Sequence, residues 1–528
     1  MIGECNETDG FLASGCKTVC ELLDLWTQEK PNAVAFSVES QEHHVISLTY
    51  KELSDASHQI AAGLHSLGIT AKDRVLVQLP NCVEIIIAWF GIIRLGAIFV
   101  PSNPVNTHRE LSHIIELADI KLTICQESAV NTIRLAAREV IKNEQIFVVC
   151  SPKSKDLIDF QSLLSKNNYV ELSGSQNFQA NEIIELIFTS GTSASPKAVM
   201  VTHANCLNSG FQKSLAMEIN SEDVLLTVLP FFHVNAQSAF LAALTTGSRF
   251  VLLEKFSSTH FFSQLARHKA TLTSFVGTQV RILLSMEHDR LVSEHNVKKA
   301  WFALELTEAE RDEFRNRFGI TLFNGYGLTE AFTSVTQTPL IGRHAWPSVG
   351  LPLNGRKVAI IDNSGLEVSS GIIGEIAVGG EPGVTLMKGY WNDSKATESA
   401  LRNGWLHTGD LGKLDEYGFL YFVSRKSDLI KRAGENISSS EVESVLLKNP
   451  YIKDVAVVGV PDFFRDEAVT AFIVLNQSVS IDDTNIKEFA ENNLASFKVP
   501  TIWRVVESLP RDSLGKIQKA LLKKEGFS

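Results

Sequence analysis

The sequence predicts an α/β protein with a large N-terminal domain of two parallel βα sheet subdomains, a small β-subdomain and an α+β C-terminal domain. Three observations support this prediction. Apolar runs alternate with helix-like segments up to residue 149, the alternation resumes at residue 183, and glycine-rich short runs replace it after residue 349. Strict alternation of strand and helix is typical of βαβ units and mainly parallel sheets. A chain of 528 residues is also too long for one core.

The first half of the chain contains a well-marked helix start. Thr49-Tyr-Lys-Glu52 has the form of a capping box, and Leu53, Ile60 and Leu64 then fall on one helical face. The other predicted elements of this half are strands at 74–79, 97–100, 122–125 and 146–149, and helices at 83–95, 110–118 and 129–140.

A polar connection at 151–182 leads to the second half, where the pattern repeats. The predicted elements are strands at 183–188, 198–201, 224–228 and 249–253 and a helix beginning near residue 203. Short strands interrupted by glycines after residue 349 predict the small β-subdomain. Beyond 423–428 the predicted elements are helices near 440–448 and 484–494 and strands at 455–460 and 468–475. We therefore predict two domains, 1–423 and 424–528.

Composition excludes several classes of function. A net charge of −11 argues against a nucleic-acid or anionic-membrane surface. The most apolar segment, 85–93, is much shorter than the roughly 20 residues of a bilayer span. The N-terminal stretch does not have the pattern of a signal peptide, and the seven cysteines include no C-x-x-C pair. These features predict a cytoplasmic protein without stable membrane insertion and with reduced thiols.

The segment Thr189-Ser-Gly-Thr-Ser-Ala-Ser-Pro-Lys197 lies between two apolar runs. Its hydroxyls, backbone N–H groups and lysine suit a polyphosphate, because the donors can surround the oxygens and the lysine offsets their charge. A Ser/Thr-rich surface hairpin is the alternative. A Walker P-loop is a poor match, because Lys197 follows Gly191 by six residues and a strand, not a helix, follows.

Five further patches accompany this loop and have to be explained together with it. They are Asn324-Gly-Tyr-Gly-Leu-Thr-Glu330, Gly404-Trp-Leu-His-Thr-Gly-Asp410, Arg425-Lys-Ser-Asp428 with Ile430-Lys431, Gly434-Glu-Asn436, and Pro510-Arg-Asp-Ser-Leu-Gly-Lys516. In this order the patches resemble the adenylate-forming superfamily of acyl-CoA synthetases, peptide-synthetase adenylation domains and luciferases, over about residues 20 to 525. The segments 229–237, 250–255, 430–436 and 465–467 are most similar to crotonobetaine/carnitine–CoA ligases.

The resemblance implies catalytic roles for four residues. Lys516 would bridge the substrate carboxylate and the α-phosphate of ATP, and Glu330 would bind Mg²⁺. Lys431 would act in the second half-reaction, and His233 would form a gate between the acyl pocket and the thiol tunnel. A hydrogen-bonded core histidine remains an equal alternative for His233.

The resemblance also implies binding residues for the nucleotide and for coenzyme A. Asp410 would hold the ribose hydroxyls with Arg425 as its partner from across the domain boundary, Tyr326 would stack on adenine, and Thr329 would contact the α-phosphate. Taken singly, each is an ordinary turn or sheet-end residue. The full set is Thr189, Ser190, Gly191, Thr192, Lys197, Gly325, Tyr326, Gly327, Thr329, Asp410 and Arg425 for ATP, and Gly434 and Glu435 for the pantetheine channel.

The chain departs from the family pattern at several positions. Ser193, Ala194 and Ala198 stand in the phosphate loop where the family has Thr, Gly and Gly, and Ser427 stands at the hinge. The segment Phe302-Ala-Leu-Glu305 replaces the usual Gly-Gly-Ala floor of the acyl pocket. The last change concerns the choice of substrate.

These residues predict an AMP-forming acid–thiol ligase that uses ATP, Mg²⁺ and coenzyme A on a small carboxylic acid. The C-terminal domain, which the resemblance implies to be mobile, would serve both half-reactions. One alternative is an enzyme that passes its acyl-adenylate to a carrier protein. Another is a non-catalytic nucleotide-binding homologue, against which Glu330, Asp410, Arg425 and Lys516 argue. The sequence does not predict an oligomeric state.

The acid itself is predicted from Glu305 and Trp346. A carboxylate beside an aromatic face is what a quaternary ammonium needs, since charge complementarity adds to a cation–π contact. Together with the resemblance to crotonobetaine/carnitine–CoA ligases, these residues predict a short acid that carries a trimethylammonium group, such as carnitine, crotonobetaine or γ-butyrobetaine. The alternative is that Glu305 begins the charged helix of residues 306–311 and points to water, because acidic residues are favoured in a first helical turn.

Overall fold

The structure, a computed structural model, describes residues 15–137, 145–149, 157–164, 178–189, 196–286, 294–303, 306–432, 435–462, 466–476, 485–511 and 517–525. The chain divides into two compact units. The first comprises Met1–Val358 with Val378–Leu406, and the second comprises Ala359–Ala377 with His407–Ser528.

The predicted domain boundary at 423–428 falls inside the second unit. A hairpin accounts for this, because residues Asp410 to Leu414 pair antiparallel with residues Leu420 to Arg425 and so join the two sides of the predicted boundary. The division into 1–423 and 424–528 stays a prediction.

The first unit contains a seven-stranded sheet in the order β7-β6-β5-β3-β4-β8-β9. All its neighbours pair in parallel except β8 and β9, which form an antiparallel pair. Its strands are β3 (Arg74–Gln78), β4 (Ile98–Pro101), β5 (Ile120–Gln126), β6 (Ile146–Val149), β7 (Ile158–Asp159), β8 (Ile183–Thr189) and β9 (Lys197–Thr202).

A nine-stranded sheet of the same unit runs in the order β16-β15-β14-β13-β12-β10-β11-β1-β2, with a parallel centre from β14 to β1. Its strands are β1 (Val34–Glu39), β2 (Val45–Thr49), β10 (Val224–Thr227), β11 (Arg249–Leu253), β12 (Leu272–Val276), β13 (Lys299–Ala303), β14 (Thr321–Leu328), β15 (Thr333–Gln337) and β16 (Leu351–Pro352). Of these strands, β10 and β11 are among the predicted elements and the other seven are not.

Helices flank these sheets, and five of them begin at a threonine. In each of the five, the threonine side chain accepts the N–H three residues on, and the side chain at that position accepts the threonine N–H. The helices are α1 (Val19–Glu29), α2 (Tyr50–Ser66), α3 (Val83–Arg94), α4 (His108–Ala118), α5 (Val130–Ala137), α6 (His203–Ala216), α7 (Val234–Thr246), α8 (Phe261–His268), α9 (Gly277–Leu284), α10 (Glu308–Phe318) and α11 (Ser394–Ala400).

A smaller sheet has the order β17-β18-β20-β19, with β21 beside β20. Its strands are β17 (Lys357–Ile361), β18 (Gly374–Gly379), β19 (Leu401–Arg402), β20 (Trp405–Leu414) and β21 (Leu420–Arg425). It corresponds to the predicted glycine-rich β-subdomain.

The second unit has its own sheet, in the order β23-β22-β25-β24 with β26 beside β25. Its core includes Ile430, Val442, Val457 and Ile473. The elements are β22 (Leu429–Arg432), β23 (Glu435–Ser438), α12 (Ser439–Leu446), β24 (Ile452–Asp462), β25 (Asp466–Leu475), α13 (Ile486–Asn493), β26 (Ile502–Val505) and α14 (Lys519–Glu525).

The predicted α/β class is confirmed, with parallel sheets in the first unit and an α+β arrangement at the carboxyl end. Within the described ranges, every helix is too short or too polar to serve as a transmembrane span.

Candidate active site

The two ends of the predicted phosphate loop are held by a strand pair. Thr189 lies opposite Lys197 in the antiparallel pairing of β8 and β9. His113 on α4 donates from Nε2 to the Pro196 carbonyl at 2.8 Å. A strand, β9, follows Lys197, as the sequence predicts and as a Walker loop would not have. Ser190, Gly191 and Thr192, with Ser193 and Ala194, lie outside the described residues.

Lys197, Tyr390 and Glu330 form a line of contacts. The Lys197 ammonium lies 5.0 Å from the centroid of the Tyr390 ring, and the Tyr390 hydroxyl donates to Glu330 Oε1 at 3.0 Å. Burial and the neighbouring Glu330 carboxylate raise the pKa of Tyr390. Tyr390 therefore stays protonated and donates a hydrogen bond to Glu330. Its side chain brings the predicted phosphate lysine close to the predicted metal ligand.

Backbone pairing brings Tyr390 to this position. The Met200 N–H donates to the Gly389 carbonyl at 2.9 Å, and the Trp391 N–H donates to the Ala198 carbonyl at 2.8 Å. The segment around Tyr390 thus extends the sheet beside β9. Sequence reasoning missed Tyr390, and no motif spacing links it to Glu330.

The predicted adenine segment lies at the end of β14. Tyr326 is buried, Gly327 is exposed, and a bulge separates them where β14 pairs with β15. A β carbon at Gly325 would lie 2.9 Å from the Thr336 carbonyl oxygen, so close strand pairing by itself requires a glycine there. Thr329 and Glu330 follow in a short 3-10 helix, Thr329–Ala331, and both are half-buried.

Asp410 and Arg425 lie opposite each other in the hairpin of β20 and β21. Arg425 Nε is 3.5 Å from Asp410 Oδ1, and the Asp410 side chain is buried while that of Arg425 is 40% exposed. Both belong to the second unit, where they are cross-strand neighbours.

Glu375 supports the turn before Asp410 and was not predicted. Its Oε1 accepts the Gly409 N–H at 2.9 Å, and its Oε2 lies 2.7 Å from Lys426 Nζ. Burial opposes ionisation, but the hydrogen bonds from Lys426 and Gly409 hold the pKa of Glu375 below its usual value. The residue therefore stays charged and fixes the backbone beside Asp410.

The predicted residues of the second half-reaction lie in the second unit. Lys431 is exposed on β22, and its backbone N–H donates to Glu467 Oε2 at 2.7 Å. The Glu435 backbone pairs with Arg432 at the end of β23. Gly434 and Lys516 lie outside the described residues.

His233 occupies the N-cap position of α7. Its ring centroid is 4.7 Å from that of Phe232, and its carbonyl accepts the Gln237 N–H. The residue is half-buried at the start of the helix. The structure therefore places it at an element end, where a gate is possible, and not in the interior of the core.

Trp346 already has a cationic neighbour. The Arg311 guanidinium carbon lies 4.9 Å from the centroid of its ring, and the Phe302 ring stacks at 6.4 Å with an interplanar angle of 29°. Glu305 lies outside the described residues. The helix α10 begins at Glu308 with Thr307 as its N-cap. The alternative that Glu305 points to water stays a prediction.

Comparison with family models matches most of the chain. Residues 23–391 match the AMP-binding enzyme model, and residues 441–516 match the model of the AMP-binding enzyme C-terminal domain. The first match ends at the residue after Tyr390, and the second ends at Lys516.

Individual relatives and solved structures extend over nearly the whole chain. The crotonobetaine/carnitine–CoA ligase of Proteus mirabilis is 36% identical over 497 residues, which cover 93% of this chain and 95% of the relative. The o-succinylbenzoate CoA synthetase of Bacillus subtilis, solved with its acyl-adenylate intermediate, is 27% identical with a TM-score of 0.81 and covers 95% of this chain and 97% of its own. The same enzyme with ATP and a magnesium ion has a TM-score of 0.80, 27% identity and coverages of 95% and 99%. The resemblance drawn from the six patches is confirmed.

Proposed function

The chain belongs to the AMP-binding enzyme family and is an ATP-dependent, AMP-forming acyl-CoA synthetase, and we propose that its acid is a short carboxylic acid carrying a trimethylammonium group. A carboxylate and ATP give an acyl-adenylate and pyrophosphate. Coenzyme A then attacks the acyl carbon and gives the acyl-CoA and AMP. The proposed location is the cytoplasm, supported by Cys20, Cys82, Cys125 and Cys206, which are free thiols.

The contact line of Lys197, Tyr390 and Glu330 supports the nucleotide part of this proposal. Glu330 is half-buried and accepts a hydrogen bond from the Tyr390 hydroxyl, and a carboxylate oxygen is the type of ligand that a hard cation prefers, so Glu330 fits Mg²⁺. When bound with ATP, this ion supplies charge neutralisation on the phosphates. Lys197 lies close enough to meet the same phosphates from the loop side.

The remaining roles are proposals that rest on family motifs and on the observed placements. Asp410 is an acceptor-only side chain held beside Arg425, as a ribose ligand requires. Tyr326 and Thr329 would bind the adenine ring and the α-phosphate. Lys516 would serve adenylation. Lys431, Gly434 and Glu435 would serve attack by coenzyme A, with His233 as the gate.

The substrate class is supported by the relative in Proteus mirabilis, whose name specifies crotonobetaine and carnitine. Trp346 bears on the substrate class in two ways. Its ring holds a cation, Arg311, which shows that this face suits positive charge. A trimethylammonium group would have to use the other face or displace Arg311. Glu305 is the proposed anionic partner.

The test compares kcat/KM for γ-butyrobetaine and for its uncharged isostere 5,5-dimethylhexanoate, measured by AMP release with coenzyme A. The wild type should prefer the betaine, and Glu305→Gln should lower that preference about tenfold, the effect of ~1.4 kcal/mol. Glu308→Gln, in the first turn of the neighbouring helix, is the matched control and should keep the preference.

Equal use of the two acids by the wild type would refute the trimethylammonium proposal. Release of AMP and formation of an acyl-CoA from either acid would still support the synthetase activity. An unchanged preference in Glu305→Gln would remove Glu305 from recognition of the cation.

A further inference from the structure

Lys213 on α6 is a buried cation that the nucleotide site does not use. Its exposed fraction is 5%, its Nζ donates to Ser238 Oγ on α7 at 2.9 Å, and it lies 4.3 Å from the centroid of the Trp301 ring on β13. Within the described ranges no carboxylate forms an ion pair with it. Burial lowers the pKa of Lys213 to about 7.

Burial of the Lys213 ammonium lowers the free energy of unfolding. Retention of such a group therefore suggests that it has a function. An ammonium has three donors, and a buried charge is expensive when its hydrogen bonds are incomplete. The neighbouring Trp301 side chain also has an unused polar atom. Trp301 Nε1 is buried and has no hydrogen-bond partner in the part of the chain that the structure describes. This layer of the molecule therefore has unmet hydrogen-bonding capacity.

The position of this layer relates it to the acyl group, an assignment that rests on the proposed function. Side chains alternate along a strand, so Trp301 shares a face of β13 with Ala303, where the segment replacing the glycine floor continues. Ser238 lies in the second turn of α7, the helix that begins after His233. Lys213 contacts both Trp301 and Ser238, so its amine lies against the strand that leads into the predicted floor and against the helix that follows the predicted gate.

We propose that Lys213 is a specificity-determining residue that hydrogen-bonds an oxygen on the acyl chain of the acid, either a hydroxyl or a second carboxylate. An amine accepts from a hydroxyl when neutral, and an ammonium donates to either oxygen when charged. A trimethylammonium group in the same substrate would favour the neutral amine. Lys213 is therefore compatible with a betaine that carries a hydroxyl, and a diacid is the other source of the same oxygen.

The experiment uses pairs of acids that differ by this oxygen, with kcat/KM measured by AMP release in the presence of coenzyme A. The pairs are carnitine against γ-butyrobetaine, 3-hydroxybutanoate against butanoate, and glutarate against pentanoate. The wild type should prefer the oxygenated acid in at least one pair by about 10- to 100-fold, and Lys213→Met should abolish this preference. The first two pairs report a hydroxyl and the third reports a carboxylate.

Lys299→Met is the matched control. Lys299 lies on the same strand as Trp301 and donates to the Met217 carbonyl, so its loss removes a lysine from β13 without touching the proposed contact. Lys299→Met should keep the wild-type ratio of kcat/KM values within every pair of acids. Replacement of Lys213 by methionine leaves an apolar chain of similar length, so its melting temperature should equal or exceed that of the wild type.

The pH dependence separates the two oxygen sources. Other titratable side chains on the elements around Lys213 are His203 and Cys206 on α6, His233 before α7 and Lys299 on β13. A preference for glutarate should fall as pH rises through about 7, because the charged amine is lost, and should be independent of pH in Lys213→Met. A preference for a hydroxyl should persist above that pH.

Ser238→Ala removes the hydroxyl that accepts from the Lys213 amine and should reduce the preference for the oxygenated acid by a smaller factor. This variant replaces Lys213→Met in the test if Lys213→Met does not fold. The proposal is overturned if no pair shows a preference in the wild type, if Lys213→Met keeps every ratio, or if it slows all acids equally. Preference for the diacid would support Lys213 whatever the comparison of γ-butyrobetaine with its uncharged isostere shows, so the two proposals fail independently.

Discussion

At the scale of single residues, the site depends on groups whose ionisation is fixed by their neighbours. Tyr390 is kept protonated by burial and by Glu330, so it donates to that carboxylate instead of competing with it for a metal. The Lys197 ammonium lies over the ring of the same tyrosine. One aromatic side chain thus contacts both the proposed metal ligand and the proposed phosphate lysine.

Glu330→Gln should lower the rate of adenylation about 10²-fold and raise the Mg²⁺ concentration needed for half-maximal rate, because the amide is a weak ligand for a hard cation. The melting temperature should change little, since the amide oxygen still accepts from Tyr390. ATP–pyrophosphate exchange across a series of Mg²⁺ concentrations measures the effect.

Tyr390→Phe is the control for this change, because it keeps the carboxylate and removes only its hydrogen bond. Its effect should be smaller than that of Glu330→Gln. An unchanged Mg²⁺ dependence in Glu330→Gln would exclude Glu330 as a metal ligand.

At the scale of elements, Glu185 connects a strand with two helices. On β8 its carboxyl group is buried, accepts from Gln237 Nε2 on α7 at 2.7 Å, and accepts from Trp89 Nε1 on α3 at 3.3 Å. The strand β8 leads into the predicted phosphate loop, and α7 begins after His233, the predicted gate. The hydrogen bond between Glu185 and Gln237 therefore links the strand before the phosphate loop to the helix after the gate. Burial raises the pKa of Glu185 to about 8, although both hydrogen bonds act to lower it.

The raised pKa gives stability a defined pH dependence. The unfolded chain releases this proton near the ordinary value of 4.5, whereas the folded protein holds it up to about 8. The free energy of unfolding should therefore fall as pH rises through this window. Glu185→Gln mimics the protonated form, so it should match the wild type near pH 4.5 and exceed it above pH 8 by on the order of a few kcal/mol.

Urea unfolding midpoints at pH 5, 6.5 and 8.5 test this difference. Glu116→Gln, at an exposed position on α4, is the control and should follow the wild type. If Glu185→Gln were less stable by a constant amount at every pH, the carboxyl group would be ionised in the folded protein and the assignment would be wrong.

At the scale of the whole molecule, the chain divides its predicted groups between two units. The first contains Lys197, Glu330 and His233, and the second contains Asp410, Arg425, Lys431 and Lys516. Ion pairs within the second unit flank the segment that ends at Lys516. Arg511 pairs with Asp454 on β24, and Lys519 pairs with Glu443 on α12 at 2.7 Å.

Lys516→Ala should reduce adenylation by about 10²–10³-fold, the effect of losing one preorganised charge at a developing oxyanion. Attack of coenzyme A on a supplied acyl-adenylate should continue at nearly the wild-type rate, because Lys431 and its neighbours are proposed for that step. Pyrophosphate exchange measures the first half-reaction, and acyl-CoA formation from the adenylate measures the second.

Lys524→Ala, on the exposed surface of α14, is the control and should leave both half-reactions unchanged. Equal damage to both half-reactions in Lys516→Ala would argue against separate roles for the two lysines.

The sequence by itself determined many of the elements and the order of the motifs. The capping box at Thr49, and the hairpin context of Thr189 and Lys197, follow from short-range patterns of propensity and spacing. These are local properties of the chain, so the α/β class and the family resemblance follow from the order of the amino acids alone.

Tertiary structure alone decided which distant side chains meet. Tyr390 reaches Glu330 because its segment adds to the edge of β9. Lys213 is buried because α6, α7 and β13 pack together. Sheet order and helix packing join positions far apart in the chain, and local periodicity carries no information about such contacts.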